Sequence, residues 1–180
     1  MKKLPAIITL IILLVAAVSC NNEESTWEKY KDWRHTNNDF FTQKDNSVNA
    51  NGEREYMRVS PVWDAGSYIL MKKYKSGNGT KYPLFTSTVD VTYKGYLCNG
   101  TVFDSTYTYT DSIVTFKCSS TVTGFAIALT NMVVGDSCEI IIPSYLGYGE
   151  QELSAINPYS TLIFGLKLRG IPGYEIQVKP

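Results

Sequence analysis

The sequence predicts an α+β domain in which an antiparallel sheet, with one face covered, packs against one short helix. Segments that alternate apolar and polar residues recur from about residue 56 to residue 169, and a single short helical pattern interrupts them. The chain has 180 residues, 44% of them hydrophobic and 13% aromatic, which is enough for one domain with a substantial core. Seventeen basic residues balance seventeen acidic ones. Because proteins that hold nucleic acid through its phosphates carry an excess of positive charge, we expect no nucleic acid partner.

The first nineteen residues have the features of a bacterial export signal. Two lysines precede a nearly continuous apolar run over residues 4–18, and small residues follow just before Cys20. The run is shorter than the roughly 20 residues that a spanning helix needs, although a membrane-spanning anchor is the alternative. Residues 17–20 resemble a lipobox, which implies cleavage before Cys20, lipidation of that cysteine and a bacterial outer membrane lipoprotein that faces the periplasm or the cell surface.

Residues 20–55 are expected to form a lipidated tether and an N-terminal helix. The Ser-x-x-Glu spacing of a capping box and the aromatic residues that follow it predict a helix from about Thr26 to Phe41. Trp33 falls off the aromatic face, which indicates either a broken helix or one that meets the body on two sides. We interpret it as a docking helix, with a partner-binding helix as the alternative. The polar residues 43–52 predict a surface loop.

Strand patterns follow in the segment 56–180, which we assign to one domain. The predicted strands lie at about 68–74, 89–97, 113–116, 138–142 and 162–168. The dipeptide Asn99-Gly100 predicts a type I′ hairpin, in which both central residues have a positive φ. Apolar residues at helical spacing from Phe125 to Met132 predict the short helix, which Gly135 can end.

The cysteines and the single histidine do not indicate a metal site or a hydrolase. Once the signal is removed and Cys20 is modified, Cys98, Cys118 and Cys138 are left without C-x-x-C spacing. We interpret them as small apolar fillers, with a single disulfide as the alternative. The only histidine, His35, lies outside the predicted strands, so a mechanism that needs an imidazole has little support.

Five stretches of the chain resemble, in order, motifs of the FKBP-type peptidyl-prolyl isomerase family. The first, Val89-Asp90-Val91-Thr92-Tyr93-Lys94-Gly95, resembles the family's V-x-V-x-Y-x-G strand. The other four are 99–105, 122–135, 143–149 and 157–164. The match covers roughly residues 66–171. One stretch alone would be a weak signal, but five in register are specific.

The resemblance implies a curved antiparallel half-barrel wrapped around the short helix, with an apolar pocket that accepts a prolyl ring. The extra N-terminal helix predicted from the capping pattern precedes this half-barrel. The residues carried over as catalytic are Tyr93, Phe103, Asp104, Tyr148 and Phe164, and those carried over as substrate-binding are Val122, Phe125 and Ile156. Phe125 would form the floor, while the Val122 N–H and the Tyr148 hydroxyl would hold carbonyl oxygens of the peptide. An aromatic residue that relatives often place after the hairpin is absent, and Ile113 is the nearest candidate.

The resemblance implies a peptidyl-prolyl cis-trans isomerase that acts on proline-containing polypeptides of the cell envelope. It implies no cofactor and no metal, and we expect a monomer. Without the resemblance, the pocket aromatics would be interpreted as ordinary core residues and Asp104 as a turn residue. The alternative function is a non-catalytic lipoprotein that binds peptides or proteins with the same fold.

Overall fold

The structure is a computed structural model, and it describes residues 24–108 and 112–173. The helices in this part of the chain are α1 (Thr26–Lys29), α2 (Lys31–Asp45) and α3 (Thr123–Thr130). The strands are β1 (Met57–Val59), β2 (Ile69–Lys75), β3 (Thr88–Leu97), β4 (Val102–Ser105), β5 (Val114–Lys117), β6 (Ser137–Ile142) and β7 (Leu162–Gly170). The predicted signal sequence and Cys20 lie outside the described residues. Within those residues, every helix is too short or too polar to cross a membrane.

The strands of the described region form one antiparallel sheet in the order β1-β2-β6-β7-β3-β4. Strand β5 pairs with the first half of β3, on the edge where β4 pairs with the second half. The register brings Phe164 of β7 opposite both Gly95 of β3 and Ile140 of β6. The predicted α+β fold class is confirmed, and so is each strand that the alternation predicts.

Helix α3 lies against the inner face of the sheet and is buried on all sides. Every residue from Gly124 to Leu129 is buried, as expected of a short helix that is apolar all round. The inner-facing residues of β6 and β7 pack in the same core cluster, namely Cys138, Ile140, Ile142, Leu162, Phe164, Leu166 and Leu168. The helix ends at Thr130, earlier than the pattern predicts, because Asn131 Nδ2 donates to the Ile127 carbonyl at 2.8 Å and caps the last turn.

The outer face of the sheet is also covered at strands β2, β6 and β7, so the prediction of one covered face is wrong for this part of the sheet. Leu70 and Ile141 are fully buried there, and Phe40 and Phe41 of α2 pack against their cluster. The physical reason is visible in the sequence, because residues 140–142 are consecutive isoleucines. A strand that is apolar without alternation is typical of burial on both faces.

The N-terminal helix is broken, which is one of the two forms that its pattern predicts. The Ser25 hydroxyl accepts the Glu28 N–H at 3.4 Å, as the capping spacing predicts. The break falls at Tyr30, whose backbone (φ −105°, ψ 21°) separates α1 from α2. Helix α2 runs on to Asp45, so the first residues of the predicted loop are helical. Its packing on the sheet agrees with the interpretation as a docking helix.

The β3–β4 hairpin differs from the type I′ turn that Asn99-Gly100 predicts. In the hairpin, residues 97–101, Gly100 has a positive φ of 83°, whereas Asn99 does not. The Gly100 N–H donates to the Leu97 carbonyl at 2.8 Å, and the Leu97 N–H donates to the Thr101 carbonyl at 2.9 Å. This is a three-residue loop with glycine in the left-handed position. Asn99 contributes its side chain, which accepts the Thr101 N–H at 3.0 Å.

The three cysteines are free thiols, and no disulfide joins them. Cys118 and Cys138 are fully buried in the core cluster. Burial raises the pKa of Cys118 to about 11 and that of Cys138 to about 12, so both stay uncharged. The interpretation as apolar fillers is confirmed for these two, whereas Cys98 is partly exposed.

Candidate functional site

A cleft of about 500 Å³ opens beside the first turn of α3. Seven of the eight pocket residues predicted from the sequence line it, namely Tyr93, Phe103, Asp104, Val122, Phe125, Tyr148 and Phe164. Five further lining residues were not predicted from the sequence, and these are Phe116, Ser120, Thr121, Gly147 and Gln151. The lining comes from β3, β4, β5, β7, α3 and the loops before α3 and after β6. The fold therefore gathers into one cleft residues that are up to 71 positions apart, from 93 to 164.

Five aromatic rings pack edge to face and form the apolar wall of the cleft. The ring centroid of Phe125, a residue only 4% exposed, lies 5.7 Å from that of Tyr93, 4.9 Å from that of Phe164 and 6.0 Å from that of Phe116. Phe103 packs on Phe164 at 5.4 Å. Aromatic pairs prefer such arrangements, because the positive edge of one ring meets the negative face of the other. The wall is therefore an interlocked surface in which each ring holds its neighbours.

Gly95 of β3 allows Phe103 and Phe164 to meet across the strand. It pairs with Phe164 in the β3–β7 ladder and with Asp104 in the β3–β4 ladder. A β-carbon at this position would lie 2.7 Å from Phe103 Cζ and 2.9 Å from Phe164 Cε1, closer than real side chains approach. The glycine that closes the first family-like motif is thus needed for the ring contact.

A short hydrogen bond joins the two polar side chains at one wall of the cleft. The Tyr93 hydroxyl donates to Asp104 Oδ2 at 2.6 Å. Burial and then this hydrogen bond raise the pKa of Tyr93, so its phenol stays neutral and keeps donating. Asp104 thereby holds the Tyr93 ring in its orientation against Phe125 and Phe164.

Two polar groups of the cleft lining have no protein partner among the described residues. Val122 precedes α3 in an extended conformation (φ −60°, ψ 148°), and its carbonyl accepts the N–H groups of Phe125 and Ala126. Its own N–H donates to no acceptor in the described part of the chain. The hydroxyl of Tyr148 has no partner there either. Both groups are therefore available to a bound molecule.

A tight turn after β6 presents Tyr148 to the cleft. The Ser144 carbonyl accepts the N–H groups of Gly147 and Gly149, both at 2.9 Å, and Gly149 has a positive φ of 59°. The Gly149 carbonyl in turn accepts the Tyr159 N–H at 2.7 Å. The turn is thus tied to the segment that leads into β7, and Tyr148 is held at the cleft by the backbone on both sides.

Two parts of the predicted lining differ from the structure. Ile156 is 5% exposed in the core cluster and is not among the residues that line the cleft. Ile113, expected to replace an absent aromatic residue, is 54% exposed, whereas Phe116 supplies an aromatic ring. Ile113 and Phe116 are three residues apart in extended chain and so point to opposite faces. Alternation along this strand is the signal in the sequence that separates the two residues, and the pairing of Phe116 with the buried Val89 then shows which face is the inner one.

The ionisable side chains of the cleft lining are one carboxyl group and two phenols. His35 is exposed on α2, away from this lining. No group of three or more His, Cys, Asp or Glu side chains that could hold a metal ion occurs in residues 24–108 and 112–173. The arrangement can bind an apolar ring and donate hydrogen bonds to carbonyl oxygens.

Comparisons with known proteins agree with the geometry. The family model described as FKBP-type peptidyl-prolyl cis-trans isomerase matches residues 79–169, just over half of the chain. The chain is 29% identical over 138 residues to the FKBP-type peptidyl-prolyl cis-trans isomerase FkpA of Escherichia coli, covering 76% of this chain and 50% of that protein. It is 38% identical over 103 residues to the outer membrane protein MIP of Legionella longbeachae, covering 57% of this chain and 43% of that protein.

A solved structure shares the fold. The crystal structure of a peptidyl-prolyl cis-trans isomerase from Pseudomonas syringae superposes with a TM-score of 0.64 and 24% sequence identity, covering 79% of this chain and 95% of that chain. The chain spans about half the length of the curated relatives it matches. The family match, the fold and the cleft lead to one conclusion: the chain belongs to the FKBP-type peptidyl-prolyl cis-trans isomerase family.

Proposed function

We propose that this protein is a peptidyl-prolyl cis-trans isomerase of the bacterial cell envelope. The observation that carries the proposal is the cleft of interlocked aromatic rings, with an unpaired N–H at Val122 and an unpaired hydroxyl at Tyr148. A prolyl ring is a small apolar group, flanked in a polypeptide by carbonyl oxygens that accept hydrogen bonds. The cleft offers both kinds of contact at once.

Catalysis of prolyl isomerisation requires moving the peptide C–N bond before the proline from water into a less polar environment. Rotation about a peptide C–N bond faces a barrier of about 18–20 kcal/mol, because the planar amide is stabilised by resonance. The twisted transition state loses that resonance and is less dipolar at the amide. A water-poor aromatic cleft therefore disfavours the planar form more than the twisted one. Each tenfold acceleration needs about 1.4 kcal/mol of such differential stabilisation.

Each part of the lining has a role in this proposal. Phe125 forms the floor under the prolyl ring, and Phe103 and Phe164 form its walls. The Val122 N–H and the Tyr148 hydroxyl bind carbonyl oxygens and hold the peptide while the bond rotates. The remaining residues assigned from the sequence, Tyr93 and Asp104, form the polar wall that positions the peptide.

The proposed reaction moves no proton and forms no covalent intermediate. The residues that line the cleft include no histidine, the side chain whose ordinary pKa lies closest to neutrality. General acid–base catalysis near pH 7 would instead require a group that titrates there. The proposed mechanism thus requires only a cleft that fits the prolyl ring and excludes water, and two hydrogen bonds to carbonyl oxygens of the peptide.

A protease-coupled assay with Ala-Pro peptides tests the proposal. Catalytic amounts of protein should accelerate the slow phase of cleavage, which reports the conversion of cis to trans. The alternative, a non-catalytic peptide-binding protein, predicts that the peptide perturbs the resonances of Phe125 and Val122 without any acceleration. That result would overturn the catalytic proposal.

We further propose that residues 1–19 are a signal peptide, that Cys20 is lipidated, and that residues 20–55 join the lipid to the domain at 56–180. The support is the order of two lysines, an apolar run and small residues before Cys20. A relative named as an outer membrane protein supports a place in the envelope. Mass spectrometry of the membrane fraction should find a lipid on Cys20, and Cys20→Ala should stay unprocessed or leave the membrane. Cys98→Ala is the matched control, and an unmodified soluble wild type would contradict the proposal.

A further inference from the structure

A second cleft, of about 270 Å³, lies beside the first and shares one segment of chain with it. Gly147, Tyr148 and Gln151 line the first cleft, while Tyr145, Gly149 and Glu150 line the second. Neighbouring residues of one short segment, 144–151, therefore line both clefts. A polypeptide that continued from the first cleft along this segment would meet the second.

The second cleft contains a buried guanidinium. Arg34 of α2 is 8% exposed, and its Cζ lies 2.9 Å from the ring centroid of Trp27 and 5.7 Å from that of Tyr159. Its Nη1 is buried and has no hydrogen-bond partner among the described residues. No carboxylate of residues 24–108 or 112–173 lies within ion-pair distance of it.

An unpaired buried guanidinium is costly. The group stays charged in proteins and carries five donors, so a side chain this deeply buried normally has acceptors. The two aromatic rings offset part of the cost, because a cation is attracted to a ring face. They do not replace the missing acceptor at Nη1. Arg34 lines the cleft without an ion-pair partner, so the cleft presents a positive charge that the described residues do not neutralise.

The ring of Tyr159 is held in this cleft by an unusual backbone conformation, a hydrogen bond and a ring contact. Tyr159 has a φ of 63°, in the left-handed region that a residue with a side chain rarely adopts. Its N–H donates to the Gly149 carbonyl at 2.7 Å, and its ring packs edge to face on Trp27 at 5.5 Å. These contacts hold both aromatic walls around Arg34.

We infer that the second cleft binds a carboxylate of the polypeptide substrate, an acidic side chain a few residues from the proline in the first cleft. This inference rests on the proposed function. A carboxylate matches the fork of donors of a guanidinium, and the Arg34 side chain lines the cleft. Glu150 lines the same cleft, and its own negative charge disfavours a doubly charged phosphate more than a singly charged carboxylate. The ligand is thus an aspartate or glutamate residue of the bound chain.

The test uses pairs of capped Ala-Pro peptides that differ only in Glu or Gln, placed at each position from two to five residues on either side of the proline. Both Kd, from NMR titration, and kcat/KM, from exchange spectroscopy, are measured at low ionic strength. For wild-type protein we expect a preference for Glu of about fivefold to tenfold in Kd at the best position, and we expect it to fall in 1 M salt.

Variants show whether the preference for Glu peptides comes from Arg34 or from the overall charge of the protein. Arg34→Gln should bring the Glu/Gln ratio to about one, and Arg34→Lys should give a smaller preference than wild type, because lysine lacks the fork. Glu150→Gln removes the competing acid and should increase the preference, which keeps the test informative if the Arg34 variants fail to fold. Lys31→Gln, an exposed change on the same helix, should leave the ratio unchanged.

The outcomes distinguish the inference from the proposed function. Equal Kd for Glu and Gln peptides at every position in wild-type protein would overturn the carboxylate site, whether or not the peptides are isomerised. A Glu preference in Kd that Arg34→Gln abolishes, without acceleration of isomerisation, would support the site and overturn the proposed function. A preference that survives in Arg34→Gln would also overturn the inference.

Discussion

The inner face of the sheet and the side that faces the N-terminal helices are held by different interactions. On the inner face, α3 and the cleft are joined by buried apolar side chains and by the edge-to-face rings around Phe125. On the helix side, the apolar cluster is smaller, and polar contacts join α2 to the rest of the chain. Their partners are far apart in sequence, up to 127 positions for Trp33 and Ser160.

Two side chains of α2 make most of these polar contacts. Asn37 is fully buried, and its Oδ1 accepts the Thr161 N–H at 2.7 Å, just before β7. Asp45 ends the helix and accepts hydrogen bonds from Arg58 Nε at 2.8 Å and from the Tyr68 hydroxyl at 3.0 Å. We therefore expect the stability of the inner face to vary little with pH, whereas the stability of the helix side should depend on it.

The largest expected effect is on the inner face. Phe125→Ala removes the ring that contacts three others, and we expect it to lower the free energy of unfolding by about 3–5 kcal/mol and to abolish isomerase activity. Chemical denaturation checks the stability. Phe85→Ala is the matched control, because Phe85 is 45% exposed and should cost less than about 1 kcal/mol. A loss for Phe125→Ala no larger than for the control would contradict the picture of an interlocked wall.

On the helix side, Asp45→Asn should cost about 1–3 kcal/mol, since it weakens charge-assisted hydrogen bonds to half-exposed arginines. The hydrogen bond from Arg58 lowers the pKa of Asp45, with burial acting in the opposite direction. The stability that Asp45 adds is therefore complete above about pH 4, where a carboxyl of the unfolded chain ionises, and is lost as the pH falls through the lower folded value.

Denaturation curves from pH 7 down to pH 2 check this prediction. Wild type should lose stability on acidification more steeply than Asp45→Asn. Parallel pH dependences in the two proteins would mean that Asp45 is not the group that senses pH on the helix side.

Replacing an uncharged residue in the same interface should reduce the free energy of unfolding by a smaller amount. Asn37→Ala leaves the buried Thr161 N–H without its acceptor, and we expect a loss of about 1–2 kcal/mol that is independent of pH. Thermal unfolding at pH 5 and pH 7 measures it. A pH-dependent loss would show that this contact is coupled to the ionic one at Asp45.

The smallest expected effect on stability belongs to Tyr148→Phe. The change removes a hydroxyl that has no partner among the described residues, so the melting temperature should move by no more than about 1–2 °C. Activity should fall about threefold to tenfold, because the hydroxyl is proposed to bind a peptide carbonyl. Tyr82→Phe, at an exposed position away from both clefts, is the control. Equal activity at equal stability would mean that Tyr148 only packs.

Local patterns predict the inner face well. Alternation from Val89 to Leu97 gives the buried face of β3, and Gly95 in the family-like motif indicates the close approach of Phe103 and Phe164. Seven of the eight residues that the family resemblance assigns to the pocket line the cleft. Phe116 was not predicted because the face on which a strand residue lies depends on how the strand pairs with its neighbour. A shift of that pairing by one residue moves every side chain to the other face.

The helix side could not be predicted in the same way. Asn37 contacts Thr161, and Arg34 contacts Tyr159 as well as the nearby Trp27. Thr161 and Tyr159 lie more than a hundred positions from their partners, and no spacing in the sequence pairs them. Asn99-Gly100 shows a second limit, because one dipeptide suits both a two-residue and a three-residue hairpin loop. The hydrogen bonds across the β3–β4 hairpin, and not the dipeptide, select the observed turn.

We propose that the aromatic cleft catalyses rotation about the prolyl bond without acid, base or metal. Exchange NMR of an Ala-Pro peptide, with catalytic amounts of protein at pH 6, 7 and 8 and with or without a chelator, tests it most directly. We expect accelerated cis-trans exchange, nearly equal at the three pH values and unchanged by the chelator. Absence of acceleration while the peptide occupies the cleft, a midpoint near pH 7, or loss of activity with the chelator would contradict it.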